Sequence, residues 1–328
     1  MIGFREPDRA AAETPPTVIK RIAVGVDGCA EGRDAACLAS IIAGAVRAEM
    51  VLVAVDTAPS VAILPRMGRT ATRERADRAL RELRDFMAPG ARTLIETDWS
   101  VSRALERVAR REHFDLLVVG SSRHGPEGRV RIGRSTRQLL GDAKCALAVP
   151  PRGLCARGQR QLGTIGVGYD GEREGREALR GAGALARAAG APLRVRAVLD
   201  DRLPYTWAPV APRLLYEERG EVEAIWDELI APEVESLRED AERAASATGA
   251  DVEVETKPGS PPEELIALSE DVDLLVIGSR RWGAAARVLL GSTGEELMHD
   301  ARCSVMVVPR PPRSPARRSD ARSASKVA

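Results

Sequence analysis

Aromatic residues, cysteines and long apolar runs are all scarce in this chain of 328 residues. Only 3% of the residues are Phe, Trp or Tyr, which argues against a stacking surface for single-stranded nucleic acid. The five cysteines form an odd set without a Cys-x-x-Cys pair, which argues against a disulfide scaffold or a cysteine-rich zinc site. No apolar run approaches the ~18 residues that span a bilayer, and the first residues do not resemble a signal peptide. We therefore expect a cytoplasmic protein without a membrane partner.

An excess of charge of one sign is also lacking, since 49 basic residues face 48 acidic ones. The chain therefore has no global basic field for nucleic acid. The imbalance is local, because residues 310–328 carry six basic side chains and one acidic one. This tail shows no apolar periodicity, so we predict that it is disordered, and we predict the same for residues 1–17.

One sequence pattern occurs twice along the chain, and this repeat determines the predicted architecture. We predict a tandem duplication with two domains, 18–150 and 162–309, joined by a linker at 151–161. The second domain is longer by about 14 residues within 201–220, an insertion that is either a lid, a contact surface or an ordinary loop. In chain order, the landmarks of the first and second halves are Asp27-Gly28 and Asp170-Gly171, Asp56 and Asp200, the runs 115–121 and 273–279, and the closing runs 144–150 and 302–309.

Short apolar runs rich in β-branched residues alternate with amphipathic helical patterns in each half. Continuous apolar strands are typical of a parallel sheet that is covered on both faces. The order β-α-β-α-β-α-β-α-β therefore predicts an α/β protein with two tandem, five-stranded, doubly wound parallel sheets, a flavodoxin- or Rossmann-like sandwich. The last strand of each half is a candidate sheet edge. Pairing of these edges would give a pseudo-dimer within the chain or a homodimer between chains.

The candidate site lies beyond the carboxyl ends of the strands, where ligands bind in doubly wound sheets. Asp27 and Asp170 follow the first strand of each half, and glycine loops 120–136 and 278–294 follow the fourth. Each loop reaches a Ser-Thr pair at a helix start, which offers N–H groups, hydroxyls and the positive end of a helix dipole. That combination predicts a phosphate site. The alternative is that the glycines only turn the chain and a hydroxyl caps the helix.

These motifs together resemble the universal stress protein family, with two family domains covering about 20–150 and 162–309. The resemblance implies an adenine nucleotide alpha hydrolase-like fold that dimerises through its last strand. It also implies ATP as the ligand, with Mg²⁺ left open, because one branch of the family binds ATP through Gly-x-x-Gly-(nine residues)-Gly-(Ser/Thr). By position, the resemblance assigns the phosphates to Gly278, Gly291, Ser292 and Thr293, the ribose to Asp170 and the adenine to the backbone of Val198.

Both halves depart from the family motif at its second glycine. This position is Arg281 in the second half and Arg123 in the first. An arginine there either blocks the approach of the phosphates or pairs with them through its guanidinium, and the sequence leaves both possibilities open. We include Arg281 among the residues of the predicted site.

The first half departs further from the motif, since Arg134 occupies the position of the first hydroxyl. We therefore predict that the second half binds the nucleotide and that the first half holds a degenerate site at Asp27, Gly120, Gly133 and Ser135. Cys29, which follows Asp27-Gly28, is the one cysteine that we single out as a candidate reactive thiol.

The predicted function is that of a bacterial, ATP-binding regulatory module for the stress response, which acts through ligand-dependent contacts with protein partners. We do not predict an enzyme, although slow ATP hydrolysis stays open. One alternative is an interaction scaffold of the same fold that binds no nucleotide. Another is a dinucleotide-binding protein, because residues 166–171 match Gly-x-Gly-x-x-Gly. The carboxylate of Asp170 inside that loop would repel a pyrophosphate.

Overall fold

The computed structural model describes residues 19–57, 66–142, 144–200, 230–279 and 290–309. These residues form ten strands that alternate with eight α-helices. The predicted disordered termini, the insertion at 201–220 and Arg281 lie outside the described residues. The strands are β1 (Arg21–Val26), β2 (Glu49–Asp56), β3 (Arg92–Thr97), β4 (Leu116–Val118), β5 (Ala146–Val149), β6 (Ile165–Tyr169), β7 (Leu193–Asp200), β8 (Val252–Gly259), β9 (Leu274–Gly278) and β10 (Ser304–Val308).

The helices cover both faces of the sheet, as the doubly wound prediction requires. None of the helices within the described residues has the length and apolar character needed to cross a membrane. They are α1 (Ala30–Val46), α2 (Arg66–Met87), α3 (Val101–Arg111), α4 (Arg134–Asp142), α5 (Arg173–Ala189), α6 (Ala231–Ser246), α7 (Pro261–Leu268) and α8 (Ser292–Asp300).

All ten strands belong to one sheet, in the order β3-β2-β1-β4-β5-β10-β9-β6-β7-β8. Neighbours within each half are parallel, which confirms the predicted α/β class. The two closing strands are antiparallel, with Val305 opposite Val149 and Val307 opposite Leu147. The edges left at the ends of the two halves thus pair with each other within the chain.

Apolar patterning explains why the sheet is a central layer. The strands β5 and β10 are buried along their whole length, as expected for strands that are covered on both faces. Helix α1 buries Ala35, Leu38 and Ile42, which the helical period places on one face. One core cluster packs α1, α2, α5 and α6 against the sheet, and a second lies on the opposite face with α3, α4, α7 and α8.

The two halves are also joined by the glycine loop of the first half. The backbone N–H of Val130 donates to Ala301 O at 2.8 Å, and that of Ile132 donates to Met298 O at 3.0 Å. Arg129 adds a salt bridge to Asp300, with 3.0 Å between Nη1 and Oδ1. This loop therefore binds the C-terminal end of α8, the helix that the sequence places at the second site.

A buried thiol at the start of the last strand gives the fold a predictable pH dependence. Cys303 is 5% exposed, and burial raises the pKa of its thiol from 9.0 to about 12. The unfolded chain loses this proton near pH 9, whereas the folded chain keeps it. The contribution to stability is therefore complete below pH 9 and is lost as the pH rises toward 12, at roughly 1.4 kcal/mol per pH unit.

We expect the free energy of unfolding to fall more steeply above pH 9 in the wild type than in Cys303→Ala. Urea titrations between pH 8 and pH 10.5 measure both slopes. Equal slopes in the two proteins would show that the folded state tolerates the thiolate at this position.

Candidate functional site

A glycine at the end of the fourth strand of each half lets a helix approach the sheet. A Cβ on Gly278 would lie 2.4 Å from the carbonyl oxygen of Glu174, in the first turn of α5. A Cβ on Gly120 would lie 2.3 Å from the carbonyl oxygen of Glu31 in α1. Both distances are too short for any side chain. Gly278 and Gly120 therefore have a packing role that the sequence prediction, which assigned them to phosphate, did not identify.

The turn after β6 holds the carboxylate of Asp170 at the start of α5. Its Oδ1 accepts a hydrogen bond from Glu172 N at 3.1 Å, and Gly171 supplies the positive φ of +75° that the turn needs. A Cβ on Gly175 would lie 2.5 Å from the same Oδ1. Because Gly175 has no side chain, the carboxylate of Asp170 has room to lie against the start of α5.

The first half repeats this arrangement. Asp27 Oδ1 accepts a hydrogen bond from Cys29 N at 3.0 Å, and a Cβ on Gly32 would lie 3.0 Å from that oxygen. Sequence reasoning missed Gly32 and Gly175, although the signal was present: a glycine follows the aspartate by five residues in both halves.

The first turn of α8 presents backbone donors without a side-chain cap. Gly291 is the N-cap residue, with extended dihedral angles (φ −69°, ψ 171°) and no side-chain capping hydrogen bond. The first bond of the helix runs from Glu295 N to Gly291 O at 3.0 Å. The hydroxyls of Ser292 and Thr293 are therefore not the cap, and the N–H groups at the helix start are available to an anion.

A cleft of about 620 Å³ opens at this edge of the second half. Its volume lies within the ~300–1,000 Å³ range typical of small-molecule sites. The cleft brings together every residue of the predicted second site that the structure describes: Asp170, Val198, Gly278, Gly291, Ser292 and Thr293.

A smaller cleft of about 480 Å³ occupies the matching place in the first half. Asp27, Gly120 and Ser135 line it, and so does Arg123. Gly133 is not part of this lining. Instead, its carbonyl oxygen accepts the hydrogen bond of Arg137 N at 3.0 Å where α4 begins. The structure thus unites three of the four residues predicted for the first site.

The family model described as "Universal stress protein family" matches residues 19–151 and 162–309. The chain belongs to the universal stress protein family. The duplicated landmarks and the ten-stranded sheet are therefore two copies of the domain of that family, in line with the resemblance seen in the sequence.

Curated relatives and solved structures agree with this assignment. Universal stress protein Rv2319c of Mycobacterium tuberculosis is 28% identical over 214 residues, which cover 64% of this chain and 69% of that protein. Universal stress protein Slr1101 of Synechocystis is 37% identical over 84 residues, 24% of this chain and 77% of that protein.

Among solved structures, a universal stress protein from Archaeoglobus fulgidus has a TM-score of 0.59 at 16% identity and covers 90% of this chain and 98% of its own. The functionally unknown protein PA1789 from Pseudomonas aeruginosa has a TM-score of 0.57 at 18% identity, with coverages of 89% and 93%. These two similarities concern the fold alone.

A polar network that the sequence did not predict lines the second cleft of this universal stress protein. The Tyr169 hydroxyl donates to Asp240 Oδ2, and Arg176 Nη2 donates to the same oxygen at 2.8 Å. Burial, reinforced by Asp240, raises the pKa of Tyr169 far above its ordinary value. The position that matches Tyr169 in the first half is Val26. A comparison of the two halves therefore could not predict this network.

We expect Tyr169→Phe to lower the free energy of unfolding by about 1–2 kcal/mol, because Asp240 loses one of its buried donors but keeps Arg176. Denaturant titrations of the two proteins measure the difference. A Tyr169→Phe protein as stable as the wild type would mean that the hydroxyl bond is not formed.

The second cleft has an acidic lining. Among the described residues, seven carboxylates and two arginines line it, whereas two carboxylates and two arginines line the described part of the first cleft. Within the described residues, no group of three His, Cys, Asp or Glu side chains is arranged to hold a metal ion. The charged residues of the second cleft are Asp170, Glu172, Glu174, Asp200, Glu233, Glu239, Asp240, Arg176 and Arg243.

Two further sequence features are a candidate thiol and an alternative motif. Burial and the Asp27 carboxylate raise the pKa of the Cys29 thiol, which gives no support to the predicted reactivity of this cysteine. The Gly-x-Gly-x-x-Gly match does not form a dinucleotide loop, because Gly166 and Gly168 lie inside β6. A Cβ on Gly168 would lie 2.8 Å from Leu265 of α7. That glycine therefore serves the packing of a helix on the sheet.

Proposed function

We propose that the second half of this universal stress protein binds ATP and that the protein acts as a nucleotide-binding regulatory module. The observation that carries the proposal is the cleft that unites all six described residues of the site inferred from the family motif. The proposal treats 162–309 as the ligand-binding domain and 18–150 as its partner domain. A cytoplasmic, bacterial stress-response role belongs to the same proposal.

The parts of the cleft suit the parts of the nucleotide. The N–H groups and hydroxyls of Ser292 and Thr293 stand at the positive end of α8 and would hold phosphate oxygens. The Asp170 carboxylate would accept hydrogen bonds from the ribose hydroxyls. Val198, 5% exposed near the end of β7, would meet the adenine through its backbone.

The carboxylates in the described lining favour binding of the nucleotide as its Mg²⁺ complex. The seven carboxylates in the described part of the lining would repel the triphosphate, and Mg²⁺ bound to the phosphates would reduce that repulsion. We expect chelation of Mg²⁺ to weaken ATP binding by at least roughly tenfold, which corresponds to about 1.4 kcal/mol. Titrations in magnesium and in EDTA at constant ionic strength measure this change. Equal affinities would contradict the role given to the cation.

A ligand in the cleft can affect the contacts between the two halves through α8. The N-terminus of this helix lines the cleft, and its last turn accepts hydrogen bonds from Val130 and Ile132 of the first half. A ligand that binds one position of α8 better than another shifts the contacts between the two halves. This offers partners a ligand-dependent surface, and it assigns no residue a catalytic role.

The duplication supplies a matched test of the proposal. Asp170→Asn and Asp27→Asn make the same chemical change at equivalent positions of the two clefts. We expect the Asp170 variant to lose ATP affinity by roughly tenfold or more and the Asp27 variant to keep it, as measured by equilibrium dialysis with the full chain. Equal losses, or a loss in Asp27→Asn alone, would place the site elsewhere.

A further inference from the structure

The buried carboxylate of Asp34 in α1 forms hydrogen bonds with the segment between the two halves. Asp34 is 3% exposed, and its two oxygens accept hydrogen bonds from Gly153 N and Cys155 N, both at 2.8 Å. Cys155 begins a single 3₁₀ turn that ends at Arg157. Because of this contact, the start of the turn lies directly against α1.

The contact brings Cys155 to the part of α1 that carries Cys37. Cys37 follows Asp34 by three residues on α1, so it projects from the same face of the helix. After burial, the largest influence on the Cys37 thiol is a side-chain hydrogen bond with Cys155, and together they raise the pKa of Cys37 to about 12. Both cysteines are partly exposed, whereas Cys303 is buried. All five cysteines lie within the described residues, and Cys37 and Cys155 are the two whose side chains are hydrogen-bonded to each other.

We propose that Cys37 and Cys155 form a reversible disulfide when the protein meets a hydroperoxide. The inference rests on the Asp34 contact, which holds Cys155 against α1, and on the place of Cys37 one helical turn after Asp34. It is independent of nucleotide binding. The bond would convert the hydrogen-bonded attachment of the segment 153–157 to α1 into a covalent one.

The chemistry balances with the hydroperoxide as the oxidant. The Cys155 thiolate attacks the peroxide, the O–O bond breaks, and Cys155 becomes a sulfenic acid while the alkoxide or hydroxide takes a proton. The Cys37 sulfur then attacks the Cys155 sulfur, the S–O bond breaks, and hydroxide leaves as water with the proton of Cys37. Two thiols lose two electrons and two protons, and one hydroperoxide is reduced to an alcohol, or to water, plus water.

Trypsin separates all five cysteines, which makes the test direct. Cleavage after the arginines and lysines puts Cys37 in peptide 34–47 and Cys155 in peptide 153–157. Cys29, Cys145 and Cys303 fall in three other peptides. The reduced full chain is treated with hydrogen peroxide, its free thiols are blocked with N-ethylmaleimide, and the digest is analysed by mass spectrometry.

We expect peptides 34–47 and 153–157 to appear linked, two hydrogens lighter than their sum, and to separate after dithiothreitol. The control Cys29→Ser should form the same link. In Cys37→Ser, dimedone should trap the sulfenic acid on Cys155, because the second thiol is absent. Cross-links between other peptides, or unchanged alkylation of both cysteines after peroxide, would overturn the proposal.

Discussion

Gly278→Ala is expected to destabilise the protein by about 3 kcal/mol or more. The added methyl carbon would lie 2.4 Å from the backbone carbonyl of Glu174, which no rotamer change relieves. Strand β9 and the first turn of α5 would have to separate, and both carry residues of the candidate cleft. Denaturant-induced unfolding measures the loss.

The control for this substitution is Gly181→Ala, which lies within α5. A Cβ at Gly181 would lie 3.6 Å from Val308, an ordinary van der Waals distance. Alanine also favours the helix over glycine, so this variant should be as stable as the wild type or more stable. Gly278→Ala with wild-type stability would contradict the packing role of the glycine. Gly120→Ala should repeat the large loss in the first half, because its Cβ would lie 2.3 Å from Glu31 O.

Ser292→Pro is expected to weaken ATP binding by roughly 10- to 100-fold while the fold survives. Ser292 is the first residue of α8, a position that accepts proline because its N–H has no partner within the helix. The preceding Gly291 already has the extended dihedral angles that a residue before proline prefers. The substitution therefore removes one N–H that the proposal gives to a phosphate, a bond worth about 1.5–3 kcal/mol.

Ser292→Ala separates the two donors of this residue, since it removes the hydroxyl and keeps the N–H. Its affinity for ATP should fall between those of the wild type and the proline variant. Thermal unfolding without ATP checks that both variants fold. If Ser292→Pro folds normally and binds ATP as the wild type does, the phosphates do not lie at the start of α8.

The repeat made the sheet topology predictable from the sequence. Asp27 and Asp170 each close a first strand, and in a parallel sheet the carboxyl ends of neighbouring strands meet at one edge. This rule alone places Asp170, Val198 and Gly278 together, as the structure shows. The pairing of β5 with β10 within the chain was one of two predicted possibilities, because a strand pattern does not reveal whether its partner is in the same molecule.

Contacts without a counterpart in the repeat were not predictable. Tyr169 and Asp240 are 71 residues apart, and no periodicity links a strand residue to one side chain on a distant helix. The glycines show a second limit of the sequence. Gly168 and Gly278 both match ligand-binding motifs, yet each lies where a side chain would collide with α7 or α5. A sequence motif shows that a position needs glycine. It does not show whether a ligand or a packed helix is the reason.

A calorimetric titration of the full chain with ATP in magnesium tests the central claim most directly. We predict saturable binding in the micromolar range with one nucleotide per chain, because only the second cleft unites the described residues of the motif. The same titration of Ser292→Pro should show the loss derived above. Absence of saturable binding at millimolar ATP, in protein shown to be folded, would contradict nucleotide binding by this universal stress protein.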